Sequence, residues 1–216
     1  MDRFRGVFLT VVIAAFMMNS AQAIGLGVYG TWQSGPVDWE FDDTDAGGSI
    51  FDVSGDSSRV GGGFVLDTAV AKDKLFNYRL NIGVETFKSD LDELAVETDL
   101  AGVAIDNTFG FGVLRGDTVR LWLGPRLRVG FFDGDVQPEV APNTDIYLLE
   151  AGLGGVFGAN FNIGSTVTLG LTTGYMYTGY GGIVEGVSAE DVTLTGDGGR
   201  VFLSGVLIFR IGADRN

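Results

Sequence analysis

The sequence predicts an all-β protein, an eight-stranded antiparallel up-and-down transmembrane β-barrel. Three observations predict it: an export signal with no spanning helix after it, long segments that alternate between apolar and polar residues, and connections that alternate between short and long. Gly is abundant, at 35 of 216 residues, without a collagen period, which suits crowded, curved β-structure. The 16 Phe, 6 Tyr and 3 Trp carry enough apolar surface to exclude a disordered chain.

Function classes fall away on composition. A net charge of −14 opposes binding to phosphate, so no nucleic-acid partner is expected. With no His and no Cys, imidazole general bases, Ser-His and Cys-His pairs, thiolate chemistry and ordinary zinc sites are excluded. No enzymatic activity, cofactor or specific metal site is expected.

The N-terminus reads as a secretory signal peptide over residues 1–23. Arg3 and Arg5 precede an apolar run from Val7 to Met18, and Ala21-Gln22-Ala23 supplies the small-residue cleavage site. The run is too short to span a bilayer as a helix. Residues 24–216 contain no longer apolar run, so membrane insertion has to use strands.

Period-two alternation marks those strands. From Thr118 to Phe132 the odd positions are Val119, Leu121, Leu123, Pro125, Leu127, Val129 and Phe131, and the even ones include Arg120, Trp122, Arg126 and Arg128. Leu75 to Phe87 sets Phe76, Tyr78, Leu80, Ile82 and Val84 against Asn77, Arg79, Asn81 and Glu85. Ser165 to Thr178 repeats the pattern, with weaker versions near 24–33, 59–71, 100–114, 146–161 and 200–212. Such lengths fit a tilted bilayer crossing better than the short strands of soluble sheets.

Between the strands, 72–74, 115–117 and 162–164 read as tight turns, and 34–58, 88–99, 133–145 and 179–199 as long loops. Short turns with both termini on one side and long loops on the other is the layout of an outer-membrane barrel. The four loops hold 20 acidic residues against one base, Lys88, so one rim is strongly acidic. On the apolar face, Phe76, Tyr78, Phe111, Phe161 and Phe209 lie near the turns, and Trp32, Phe131, Tyr147, Tyr175 and Tyr177 near the loops. Two aromatic belts around an aliphatic band are what membrane interfaces select. A soluble lipocalin-type barrel would instead expose Arg79, Arg120, Arg126 and Arg128.

With these features the sequence resembles the small eight-stranded outer-membrane barrels of Gram-negative bacteria, typified by the transmembrane domain of outer-membrane protein A and by outer-membrane protein X. The resemblance lies in architecture and in the texture of strands such as Leu121–Gly130, and covers residues 24–216. It implies a cell outer-membrane location among outer-membrane lipid and lipopolysaccharide. The chain departs from the family pattern at its end, where Gly212 to Asn216 follow Ile211 in place of a terminal aromatic residue, and no peptidoglycan-binding domain is expected.

The internal face carries Arg59, Asp67, Arg79, Glu85, Asp106, Arg120, Arg126, Arg128, Glu150 and Arg210. An eight-stranded barrel has an interior that side chains can fill, so these charges are expected to pair as a plugging network, the alternative being a narrow arginine-lined ion path. Turn positions set a register. Asp67 is expected opposite Arg79, Asp106 opposite Arg126, and Arg128 opposite Glu150, within a slip of two residues. In the loops, Asp43 to Gly48 has the flavour of a calcium loop, but Ser54 stands where an EF-hand needs its bidentate Glu. Weak collection of divalent cations is expected there. Two functions remain: a structural or surface-interaction barrel with acidic loops and a plugged lumen, or a low-conductance channel for small solutes or ions.

Overall fold

The computed structural model describes residues 24–43, 48–68, 75–91, 96–136, 144–185 and 192–211. The expected signal peptide, the turn at 72–74, most of the calcium-like segment at 43–48 and the end after Ile211 lie outside the described residues.

Eight strands follow in order: β1 Ile24–Asp43, β2 Gly48–Asp67, β3 Phe76–Leu91, β4 Val96–Arg115, β5 Val119–Val136, β6 Thr144–Ile163, β7 Val167–Glu185 and β8 Val192–Ile211. Each pairs antiparallel with the next, and β1 pairs with β8, so the sheet closes on itself. Closure gives every strand two hydrogen-bonded neighbours, which is the condition for backbone to cross hydrocarbon. At the turn joining β6 to β7, Gly164 adopts a φ of 59°, a left-handed conformation that costs glycine little. Between β4 and β5 the Gly116 N–H donates to the Val119 carbonyl at 3.0 Å.

The strands run to 16–20 residues, longer than the sequence pattern suggests. Most of the residues read as long loops are strand: β1 continues through Ser34 to Asp43, and β2 begins at Gly48. The reason is physical. In the turn-proximal half of β1 the outward residues are Ile24, Leu26, Val28 and Trp32, and the inward ones include Thr31 and Gln33. Beyond Trp32 the polarity reverses: Asp38 and Glu40 face out, and Val37 and Trp39 face in.

The same reversal occurs on β2, where outward Asp52, Ser54, Asp56 and Ser58 give way to Val60, Phe64 and Leu66. It occurs again between Lys88 and Val84 on β3, between Asp99 and Val103 on β4, and between Asp133 and Phe131 on β5. Register keeps the boundary continuous, because Ser34 pairs with Ser58, Ser58 with Lys88, and Lys88 with Asp99. On β1–β5 the lower barrel is therefore apolar outside, as a membrane requires, and the upper barrel is acidic outside and apolar inside, as water requires. On β7 the outward residues beyond Tyr177 are Gly179, Gly181 and Ile183, without charge. On β5 the apolar stretch from Val119 to Phe131 spans about 30 Å at ordinary strand rise and tilt.

Both aromatic groups lie at the edges of that band. Trp32, Phe131, Tyr147, Tyr175 and Tyr177 are about half exposed on the outer face near the reversal, and Phe111, Phe161 and Phe209 are exposed near the turns. Tyr78 differs: it shares the outer face, but its ring lies 5.3 Å from that of Phe109 and its hydroxyl donates to Asn107 Oδ1 at 2.5 Å, which leaves it buried.

Candidate functional site

Inside the barrel the side chains form three levels. Nearest the turns, Tyr29, Val65, Val206 and Ile208 pack together beside Asp67, Asn77, Arg79, Arg120 and Asn160, all buried. At mid-height lie Arg59, Glu85, Asp106, Arg126, Arg128, Glu150 and Arg200. Toward the loops, Val37, Trp39, Val53, Phe87, Leu100, Phe132, Ile146, Leu148, Tyr180, Val184 and Leu194 form one apolar cluster.

Glu150 is the hub of the middle level. Its Oε2 accepts Arg59 Nη1 at 2.5 Å and Arg128 Nε at 3.1 Å, and its Oε1 faces Arg200 Nη1 at 3.1 Å. Arg128 also pairs with Glu85 through Nη2 and with Asp106 Oδ1 at 3.3 Å through Nη1. Arg126 Nη2 donates to Asp106 Oδ2 at 2.5 Å, and Gln33 Nε2 to Glu85 Oε2 at 3.3 Å. A guanidinium can bridge several carboxylates because its donors fan out in one plane, which a lysine ammonium cannot match.

Arginine faces not used in pairing lie on aromatic rings. The Arg59 guanidinium carbon sits 4.3 Å from the centroid of Phe87 and 4.7 Å from that of Phe132, and the Arg126 carbon 4.4 Å from that of Phe202. Arg200 approaches Tyr180 at 5.4 Å and donates to Thr178 Oγ1 at 2.6 Å. The apolar cluster thus presents an aromatic underside to the arginines, a contact favourable once both partners are desolvated.

In the turn-proximal level Arg79 pairs with Asp67 at 2.6 Å and donates to Thr172 Oγ1 at 3.0 Å and Asn160 Oδ1 at 3.1 Å. Trp122 Nε1 reaches the same Asn160 oxygen at 3.3 Å. The indole lies over Gly158, where an added Cβ would stand 2.2 Å from ring carbons, so only glycine leaves room for it. Arg120 is buried in this level with its Nη2 against Gly112.

Asp67 stands directly opposite Arg79 in the sheet. Asp106 stands opposite Arg128 rather than Arg126, a slip of two residues: the turn is centred between Asp117 and Thr118, which shifts the pairing by three, and the irregularity between Gly112 and Leu114 takes one back; Asp106 reaches Arg126 diagonally. Glu150 stands opposite Gly130, again two residues from Arg128, and its longer side chain closes the gap. Arg210 is also buried on the inner face, at the turn-proximal end, where its Nη2 donates to the carbonyls of Gly164 and Val167, the latter at 3.2 Å, away from the mid-height group. The reason is distance along β8, since ten residues separate Arg210 from Arg200. Arg200 is the residue sequence reasoning missed, although counting back in twos from Arg210 would have placed it on the same face. Among the described residues, no group of three or more His, Cys, Asp or Glu is arranged to hold a metal ion.

No family model and no curated protein sequence matches the chain. Solved structures do. The outer membrane protein OprG from Pseudomonas aeruginosa superposes with a TM-score of 0.63 at 12% identity, over 88% of this chain and 97% of that one. The fold is that of the small outer-membrane β-barrels. The outer membrane protease OmpT from Escherichia coli aligns with a TM-score of 0.45 at 9% identity, over 89% of this chain and 98% of that one. A major outer membrane protein from Thermus thermophilus aligns with a TM-score of 0.42 at 14% identity, over 84% and 99%. Likeness at these identities concerns architecture. The barrel also carries its own evidence for a membrane, the apolar band with aromatic edges.

Proposed function

We propose that this outer-membrane barrel is a structural and surface-interaction protein with a closed lumen, presenting an acidic wall and acidic loops to the cell exterior. One observation carries the reading: on β2–β6 and β8 an inward charged residue is followed, toward the loops, by inward apolar residues that meet in one cluster across the lumen, as Arg59 is by Val53, Glu85 by Phe87, and Arg128 by Phe132. A paired charge layer under an apolar layer leaves ions no hydrated path. The protein in planar bilayers is expected to show little or no conductance, and Asp106→Asn to change whatever conductance exists, because it unbalances Arg126 and Arg128. Steady open-channel currents from the wild type would favour the second reading, a low-conductance path lined by arginine.

The acidic wall supports the surface role. Asp38, Glu40, Asp52, Asp56, Asp90, Asp99, Asp133, Asp145 and Asp197 are exposed just beyond the apolar band, with Lys88 bridging Asp99 at 3.2 Å. Such a field gathers divalent cations, and through them the anionic headgroups of lipopolysaccharide, weakly and with strong dependence on salt. Calorimetric titration with calcium is expected to show weak binding that fades as sodium chloride is raised. A sub-micromolar site at physiological salt would contradict this.

A further inference from the structure

The uncharged outer surface is not level around the ring. Directly opposed pairs lead from Trp32 across β2 at Val60, on through Asp133, Tyr147 and Ile183 to Thr193, and return to β1 at Asp42, ten residues beyond the start. The strands are tilted, so such a row climbs toward the loops by just over one residue per strand. Heights above Trp32 follow from that climb. On six strands the first outward charges are Asp38, Asp56, Lys88, Asp99, Asp133 and Asp197, which stand roughly four to six residues above it. On β6 the first is Asp145, roughly eight residues up, and on β7 the outward face is still uncharged at Ile183, roughly seven residues up. The uncharged wall over β6 and β7 therefore ends about 6 Å higher than the wall beside Asp133 and Asp197.

That raised wall holds an open groove of about 530 Å³. Phe131, Leu149 and Gly181, directly opposed on β5, β6 and β7, form its lower row, and Asp133, Tyr147 and Ile183 its upper row. Phe131 and Leu149 are exposed at the top of the apolar band, so the groove opens straight onto lipid. At Gly181 the wall is recessed, since a Cβ there would meet nothing within 4 Å. Tyr147 and Ile183, both exposed, stand above the recess.

We propose that an acyl chain of an outer-leaflet lipid lies in this groove, so that lipid covers the β6–β7 wall up to Ile183 while β1 and β2 are wet at the same height. The membrane boundary then runs obliquely across the barrel. Continuity selects the occupant. Acyl chains already touch the lower row, and a chain that continues upward buries further apolar surface. A protein partner arriving from water would have to strip lipid from Phe131 and Leu149 or leave the lower half of the groove unfilled. Tyrosine at the groove's upper edge is a side chain that membrane interfaces favour, apolar in its ring and polar at its tip. The inference concerns the outer wall and is independent of whether the lumen is closed.

Tryptophans placed on that wall test it. In the full chain carrying Trp32→Phe, the remaining Trp39 and Trp122 are buried inside the barrel and supply the blank. In that background Ile183→Trp is compared with Ser54→Trp, an exposed outward position of β2 at nearly the same height. In vesicles of phosphatidylcholine brominated in the upper part of one acyl chain, the Ile183→Trp chain is expected to be quenched several-fold more steeply than the Ser54→Trp chain. Acrylamide in the water should give the reverse order. Tyr147→Trp reads the same groove should Ile183→Trp fail to fold. Equal bromine quenching of the β7 and β2 variants would mean a level boundary. Quenching of Ile183→Trp by acrylamide but not by bromine would mean a wet groove, and protection from both would mean a protein cover such as a second copy. Each of these three results overturns the proposal.

Discussion

Glu150→Gln is expected to destabilise the folded barrel by about 3–5 kcal/mol if its surroundings are fully desolvated, and by less where water reaches them. Three arginines, Arg59, Arg128 and Arg200, converge on this carboxylate, and the buried acids fall from four to three against seven arginines when it is neutralised. Most of the loss comes from guanidinium charges left without a counter-ion, not from the hydrogen bonds themselves. Replacing Arg200 with Met in the Glu150→Gln background should therefore recover part of the stability, because it removes one of the stranded charges. Equilibrium unfolding in urea from lipid vesicles measures both. A Glu150→Gln barrel as stable as wild type would mean the hub is solvated and energetically idle.

Leu123→Arg is expected to cost roughly 2–4 kcal/mol, the penalty for an arginine on the lipid face near the bilayer midplane. Leu123 is 48% exposed on β5, inside the apolar stretch that ends at Phe131. The same substitution at Val60, which lies at the reversal between lipid-facing and acidic surface, should cost markedly less, because the arginine can reach the headgroups. Folding yield and heat-modified gel mobility report the order. Equal damage at both positions would place the boundary wrongly.

Much of this was legible in the alternation. Parity alone places Arg79, Arg120, Arg126 and Arg128 inside and Leu123, Leu127 and Val129 outside, because a strand offers only two faces and lipid rejects charge on one of them. The pairing of Asp67 with Arg79 follows from counting equally outward from Asp73. Asp106 stands two residues from the position opposite Arg126 because the turn is centred beyond Asp117 rather than on Gly116, and Arg126 is long enough to bridge that slip. Segments such as 34–43 and 52–58 read as loops because their acidic, glycine-bearing residues resemble solvated links. They are strands whose faces have exchanged polarity, and the clue was Val37, Trp39 and Val53 at every second or matching inward position. Arg200 escaped for the same reason, since it sits where the pattern changes sense.

The central claim is that a single sheet changes from lipid-facing to water-facing at a level marked by Trp32. Brominated phospholipids test it with single-tryptophan chains. Trp32, 48% exposed on the outer face, should be strongly quenched, most by bromines placed shallowly in the acyl chain. Trp39, only seven residues further along β1 but facing the interior of the acidic upper barrel, and Trp122, fully buried inside the membrane band, should be protected. Quenching of Trp122 or Trp39 to the level of Trp32, or a Trp32 that lipid bromines do not reach, would contradict the account.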